Sequence, residues 1–515
     1  MSFKIMTKKT TLLASLCLLT TSLLPGCSPD PTPLPEQNTP TISFGYWDID
    51  SLADSTQTDS LTAYLEEKFN FNASFQSFDW STYQEQYRVL AFTGKLPDVF
   101  TNVLISSSDS NNSALYSQMI SSGYLKPLPD DLSDYPHLEK LLSDYEYLRY
   151  EDGHIYAIPH PGFTDEKLTS SDSALLVRKD WMDTLHIDVP QSLDEFISMV
   201  CAFAHDDPDG NGIDDTIGYN ANIISALGKW VMLGIAPECN VFTWVECDDG
   251  LCRPNWMTED FRNVITVYHE LYQKGGLEYK SSIIALQQMK DLWDEKNDLP
   301  FEECVDVLPI FPAPDGKRYS NSSSLFWGET YISASVSDEK MKIILNLLDY
   351  LLSEEGTDLY RFGIEGTDYK LSADGTMVSL ISGQNTSHYS ALEIKYPSAE
   401  VWSNLAPYGM DYSDFEDTPG TELLYDSECI ALASKALQDC VNNTVQIDRP
   451  YDFLIFPKDQ DPYGDTAFDQ FINCIIGTED PLEVWDQTLS RMKADGLDEY
   501  VEAQNEAYNQ SKNTK

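Results

Sequence analysis

Ile42-Ser-Phe-Gly-Tyr-Trp47, Asn72-Ala-Ser-Phe-Gln-Ser-Phe78 and Lys95-Leu-Pro-Asp-Val-Phe100 are three short apolar runs that follow one another closely. Two helical patterns separate them. The first opens near Asp59 or Ser60 and sets Leu61, Tyr64, Leu65 and Phe69 on one face. The second opens on a Ser81/Gln84 capping box and stops at Gly94. Strand–helix–strand–helix–strand order predicts a parallel sheet covered by helices, because parallel neighbours need a crossover and a helix is the usual one. Such α/β sheets take ligands at the carboxyl ends of their strands. Tyr46, Trp47, Asp98 and Asn102 lie at or near such ends.

Upstream, Lys4, Lys8 and Lys9 precede an apolar run, Thr11 to Leu24, that is too short to cross a bilayer, which takes ~20 residues. A basic start and a short apolar stretch predict a secretory signal over residues 1–26. It ends in Leu24-Pro-Gly-Cys27, which resembles a bacterial lipobox, so Cys27 is expected to carry lipid, palmitate included, and to anchor the chain to the cell membrane. Residues 27–41 hold five prolines from Ser28 onward and read as an extended tether. At ~3.1 Å per residue it reaches roughly 40 Å.

The chain has 515 residues, enough for two or more domains, and 42% of them are apolar. Aromatics reach 12%, which argues for packed cores and against a disordered acidic chain. Lys plus Arg number 33 against 84 Asp plus Glu, a net charge of −51. A chain this acidic does not gather phosphate backbones, so nucleic acid is excluded as a partner. Ten cysteines occur. Without Cys17 and Cys27 an even set remains, which permits disulfides in an exported protein, and Cys247 and Cys252 flank a turn that a bridge would span. No spacing matches a zinc site.

Downstream, Leu175 to Tyr219 holds three devices in succession. Ala174 to Val177 reads as a strand. Ser192 and Glu195 form a capping box for a helix with Phe196, Met199, Val200 and Phe203 on one face. Asp207-Pro-Asp-Gly-Asn-Gly-Ile-Asp-Asp215 then spaces oxygen ligands as a calcium loop does: Asp207, Asp209, Asn211, the Ile213 carbonyl and Asp215, with Gly212 for the sharp turn. The twelfth position is Gly218, where such loops carry a bidentate Glu. An acidic turn without metal is the plain alternative. A hairpin around Asp248-Asp-Gly250 and helices over 258–274, 425–442, 467–476 and 481–508 complete the pattern.

The lipobox, Gly94-Lys-Leu-Pro-Asp-Val-Phe100, Asp152-Gly-His-Ile-Tyr156, Arg178-Lys-Asp-Trp181, Asp207-Pro-Asp-Gly-Asn-Gly212, Glu354-Glu-Gly356 and Gly363-Ile-Glu-Gly366 occur in this order. Together they resemble the family 1 extracellular solute-binding proteins of carbohydrate-importing ABC transporters, and among them the LplA-type lipoproteins and the alginate-binding proteins. The resemblance implies a type II periplasmic-binding-protein-like α/β fold of two lobes and a hinge. Lobe 1 would comprise 42–165 and 324–400, and lobe 2 would comprise 166–323 and 401–515. It further implies structural Ca²⁺, with Thr216 closing the metal's ligand set, and a monomer that binds a sugar or oligosaccharide between its lobes. The loaded protein would dock on permease subunits served by a separate ATPase, since no Walker A sequence is present.

Sugars are held by aromatic faces and planar polar groups. Trp47, Trp230, Trp327 and Trp402 are the aromatic candidates, and Asp98, Asn102 and Glu365 the polar ones. For any single tryptophan, core packing is the competing reading. A surface-anchored hydrolase or lyase is the rival function, since two carboxylates would suffice for glycoside hydrolysis. With 84 acidic residues such pairs arise by chance, and no metalloprotease or nucleophile-elbow motif is present. An adhesion lipoprotein would show β-repeats, and none is visible. The chain is therefore expected not to be an enzyme.

Overall fold

The computed structural model describes residues 39–54, 58–106, 110–161, 175–213, 215–218, 229–237, 244–274, 283–296, 299–321, 326–383, 386–405, 420–447 and 462–512. The signal, Cys27 and most of the tether lie outside the described residues. Among those described, no helix is long and apolar enough to cross a membrane.

Four strands open the chain: β1 (Thr41–Trp47), β2 (Asn72–Phe78), β3 (Val99–Asn102) and β4 (Ala157–Pro161). Then come β5 (Leu175–Arg178), β6 (Trp244–Glu246), β7 (Cys252–Pro254), β8 (Val305–Leu308), β9 (Tyr319–Asn321) and β10 (Phe326–Ile332). The first sheet has the order β2-β1-β3-β10-β4. β1 is parallel to β2 and β3, as the helical crossovers require, while β10 runs antiparallel to β3 and β4.

The crossover helices form for local reasons. Asp59 caps Ser60–Phe69 by accepting the Thr62 N–H at 2.9 Å, and Asn70 ends it in the left-handed conformation. The same carboxylate accepts the Ser398 N–H and hydroxyl at 3.1 and 2.8 Å, tying a distant segment to this helix start. The expected Ser81/Gln84 capping box is not formed. Asp79 accepts the Ser81 N–H at 2.9 Å and closes an Asx turn instead, so the helix starts at Tyr83 without a side-chain cap. Gly45 lets β1 pass under the Pro97 ring: a Cβ there would lie 2.8 Å from Pro97 Cγ and 2.9 Å from Phe78.

Three apolar clusters fill the body. The first gathers residues from Ile42 to Ile158 and from Phe326 to Leu405, around the five-stranded sheet. The second gathers Leu175 to Phe311 and Ala436 to Val501, around the antiparallel pair β5–β8 and the helix Glu259–Lys274. The third is smaller and joins Leu286, Phe301 and Val305 to Phe362, Tyr369, Tyr425 and Cys429.

β6 and β7 form the expected hairpin, with Gly250 at φ +75° in its turn and Arg253 paired to Asp249. No disulfide joins Cys247 to Cys252, nor any other pair of the described cysteines. The single helix expected over 481–508 is two, Pro481–Ala494 and Leu497–Lys512, because Gly496 at φ +104° breaks it.

Candidate ligand-binding site

Because β1, β2 and β3 are parallel, their carboxyl ends share one edge of the sheet, and antiparallel β10 enters at that edge, where Glu329 faces Asn102. Trp47 closes β1, Trp80 follows β2, Val103 to Ser106 follow β3, and Trp327 opens β10. The topology thus gathers three tryptophans that are far apart in sequence. The Trp47 ring lies 5.0 Å from Trp80, 5.3 Å from Tyr83 and 5.5 Å from Trp327. Trp80 stacks on Tyr83 at 5.3 Å and 27°. Trp47 is 5% exposed and Trp80 47%, so Trp47 is the pedestal and Trp80 the open face.

A trough of about 750 Å³ runs over this platform. Trp80, Tyr83 and Trp327 supply its apolar wall, and Gln84, Ser106 and Asn112 are among its polar groups. The volume falls in the ~300–1,000 Å³ range of small-molecule sites.

Polar contacts, exposed at Asp48 and buried at Glu329, hold the walls. Asp48, at φ +51°, donates its N–H to the Phe78 carbonyl at 2.9 Å and accepts the Trp80 N–H on its carboxylate at 3.2 Å, which aims Trp80. Glu329 is fully buried on β10 and accepts the Leu104 and Ser106 N–H groups at 2.9 and 2.6 Å and the Tyr331 hydroxyl at 3.1 Å. It fixes the loop after β3. Burial pushes its carboxyl above the ordinary range, against the pull of those N–H donors. The Ser106 hydroxyl accepts the Gly328 N–H at 2.9 Å, closing loop and strand together. His160, behind Gly328, is pushed down to about 3 by burial and is neutral; its Nε2 lies 2.8 Å from the Thr330 hydroxyl.

Of the residues expected to touch ligand, Trp327 lines the trough, while Trp47 and Asn102 are brought to this edge but lie buried beneath it. Two donors there have no protein partner: Nε1 of Trp47 and Nδ2 of Asn102, both buried. Asn102 spends its carbonyl on the Val103 N–H at 2.7 Å. Asp98 is a correction. It precedes β3, at the opposite, amino end of the strands, and holds Ser43 N–H at 2.9 Å and Lys340 Nζ at 2.8 Å. Trp402 is a second correction: it is fully buried against Phe44 and Phe75, and its Nε1 donates to Thr62 at 3.0 Å. Glu365 sits exposed in the turn between the helix Glu354–Phe362 and the strand Tyr369–Leu371. Trp230 belongs to the helix Lys229–Ile235, but its side chain lies outside the described residues. Trp80 and Tyr83 were missed in the sequence. Their signal was there: they follow the carboxyl end of a parallel strand, which is where Trp47 was sought.

In the loop after the helix Leu193–His205, both Asp207 oxygens are turned inward, accepting the Asn211 and Gly212 N–H groups at 3.0 Å each. Asp209 and Asp215 share one donor, the Asn211 amide, at 2.9 and 3.1 Å. Thr216 anchors the loop by donating its hydroxyl to the Phe203 carbonyl at 2.7 Å. Ile213 is exposed. Among the described residues no group of three or more His, Cys, Asp or Glu is gathered closely enough to hold a metal ion. The donor types nonetheless fit calcium, which takes carboxylate and carbonyl oxygens. Two of the carboxylates already converge on a single polar hydrogen donor.

No protein-family model matches the chain. Lipoprotein LipO of Bacillus subtilis is 25% identical over 337 residues, 58% of this chain and 62% of that protein. The polygalacturonan/rhamnogalacturonan-binding protein YtcQ of the same organism is 26% identical over 302 residues, 55% of this chain and 58% of YtcQ. The fructooligosaccharide ABC transporter substrate-binding protein FusA of Streptococcus pneumoniae is 27% identical over 268 residues, 47% of this chain and 48% of FusA. The chain thus spans about half to three fifths of the length of these relatives. Among solved structures, FusA with kestose superposes with a TM-score of 0.63 at 18% identity, covering 92% of this chain and 100% of that one. An EF-hand mutant of FusA with fructo-nystose gives the same score. The alginate-binding protein AlgQ2 without calcium ion gives 0.61 at 17% identity, covering 92% and 98%. The fold of this chain is the two-lobed α/β fold of these ABC-transporter substrate-binding proteins.

Proposed function

We propose that this chain is a binding protein, not an enzyme, that captures an oligosaccharide and presents it to the permease of an ABC importer. The observation that carries the reading is the aromatic platform Trp47–Trp80–Tyr83–Trp327, placed at the carboxyl ends of a parallel sheet and facing a trough of about 750 Å³. Sugar rings present flat C–H faces to such rings, and hydroxyls seek polar groups such as Gln84, Ser106 and Asn112 of the trough wall. The names of LipO, YtcQ and FusA support the class. On this reading 42–165 and 324–400 form one lobe, with Val401, Trp402 and Leu405 packed in its core, and 166–323 with the chain from 420 onward the other. Ligand bound on the first lobe is covered by the second, and the closed form is the one the permease accepts, because binding energy differs between the two forms.

The rest of the reading follows from it. Cys27 carries the lipid that keeps the protein at the membrane, the chain from Ser28 up to the start of β1 at Thr41 is its tether, and the body works as a monomer. A calcium ion held by Asp207, Asp209, Asn211, Ile213, Asp215 and Thr216 neutralises the clustered carboxylates and braces the loop. The test is a melting experiment on the mature chain with an oligosaccharide panel, with the sugars analysed afterwards. A ligand-dependent rise in Tm, from a stabilisation of RT ln(1 + [L]/Kd), with sugars recovered intact, is expected. Glycan cleavage abolished by a single carboxylate substitution would instead establish the hydrolase.

A further inference from the structure

We infer that the trough selects uncharged oligosaccharides and rejects those built of uronic acids. The inference rests on the proposed sugar-binding role of the same site. It concerns a choice that the relatives leave open, since YtcQ is named for acidic polysaccharides and FusA for a neutral one.

The argument is one of charge. Of the described residues lining the trough, Arg88 is the sole cation and Glu85 the sole anion. They pair with each other at 3.0 Å, one helical turn apart, so the wall presents no net charge. The other lining groups are aromatic rings, hydroxyls and carboxamides, which match neutral hydroxyls and offer a carboxylate no fixed partner. Recognition of a carboxylate ordinarily uses a forked arginine free to bond it twice.

The surroundings lean the same way. Asp48 sits against the Trp80 backbone at 3.2 Å, and Asp79 accepts the Ser81 N–H at 2.9 Å. Glu329 lies buried beneath the loop that carries Ser106. Glu400 and Glu393 repel each other, and Glu400 also feels Asp48. Lys340, which the sheet could have offered, is held by Asp98 at the other end of the strands. A uronate entering the trough would lose hydration, find the lining cation Arg88 already paired with Glu85, and approach Asp48 and Asp79, beneath a whole-chain charge of −51.

The experiment is calorimetric titration of the mature chain with two panels at moderate salt. Kestose and maltotriose represent uncharged sugars; trigalacturonate and an alginate trisaccharide represent uronates. Binding of at least one uncharged sugar is expected, with uronates on the order of 100-fold weaker, the loss that follows when a charged group is left unpaired. Glu85→Gln, which releases Arg88, should narrow that gap. Trp80→Ala should weaken whatever binding is seen, which places it in this trough. Uronate binding as tight as, or tighter than, uncharged binding overturns the inference and leaves the transport role standing. Binding untouched by Trp80→Ala also overturns it, because the selective site would then lie elsewhere. Failure of both panels on folded protein overturns the sugar-binding role and the inference with it.

Discussion

Trp80 and Trp402 show how one residue type divides between two roles. Both ring systems touch aromatic neighbours at 5.0 Å, yet Trp80 is 47% exposed over the trough and Trp402 is fully enclosed. Truncating an enclosed tryptophan removes its burial and leaves a cavity, which costs ~3–5 kcal/mol. Trp402→Ala should therefore lower stability by about that amount in a urea titration while the surviving folded protein keeps its sugar affinity. Trp80→Ala should do the reverse, with a near-normal unfolding midpoint and an affinity loss of ~10-fold or more, as for an anchor at a binding hot spot. If both variants fall in stability alone, the platform is only core. The Asp98 misreading has an equally local cause. The apolar run Lys95–Phe100 predicts the strand too early, whereas the ladder starts at Val99 and ends at Asn102. That shift puts Asp98 before the strand and Asn102 at its carboxyl end, and it exchanges the roles of the two polar residues.

At the scale of elements, periodicity and caps are legible where one signal stands alone, as at Asp59 and Ser192, each accepting a helix-start N–H. They misled where two local bonds competed. Asp79 took the backbone N–H groups that the Ser81/Gln84 box would have organised, and Gly496 ended a helix whose apolar spacing ran on through it. The acidic loop after the helix Leu193–His205 is an element whose spacing was readable and whose occupant must be tested. Its carboxylates are close enough to share the Asn211 amide, so without a cation they repel one another. Chelation should lower the Tm of the mature chain and calcium should restore it, while magnesium should restore it less, because it demands a tighter octahedral shell. Asp209→Ala should abolish the response. An unchanged Tm in the wild type on chelation would sink the calcium assignment.

Across the whole molecule, the parallel half of the first sheet was readable because each crossover lies within one continuous stretch. The antiparallel insertion of β10 between β3 and β4 depends instead on pairing across more than a hundred intervening residues. So does the platform, which needs Trp327 delivered beside Trp47. The same long-range packing gathers acids that the sequence leaves scattered. Glu393, on the helix His388–Lys395, bonds the Tyr389 hydroxyl and feels Gln288 and Asp291 of the helix Ile283–Lys296. Burial, then repulsion by Asp291, raises its carboxyl. Glu400 is exposed by surface area, yet crowding by the surrounding protein, then repulsion from Glu393 and Asp48, pushes it up to about 7. Both acids hold their protons more tightly folded than unfolded. Their contribution to stability is thus fully present below the ordinary carboxylate value of 4.5 and is lost as pH rises, for Glu400 through about 7. The Tm of the mature chain should fall between pH 5 and pH 7.5, and Glu400→Gln, which keeps the shape and cannot ionise, should flatten that slope. Because the rest of the acidic surface titrates in both proteins alike, the difference between the two pH profiles isolates Glu400. Parallel profiles would mean that Glu400 is ordinarily ionised and that the joint between these helices carries no proton-dependent strain.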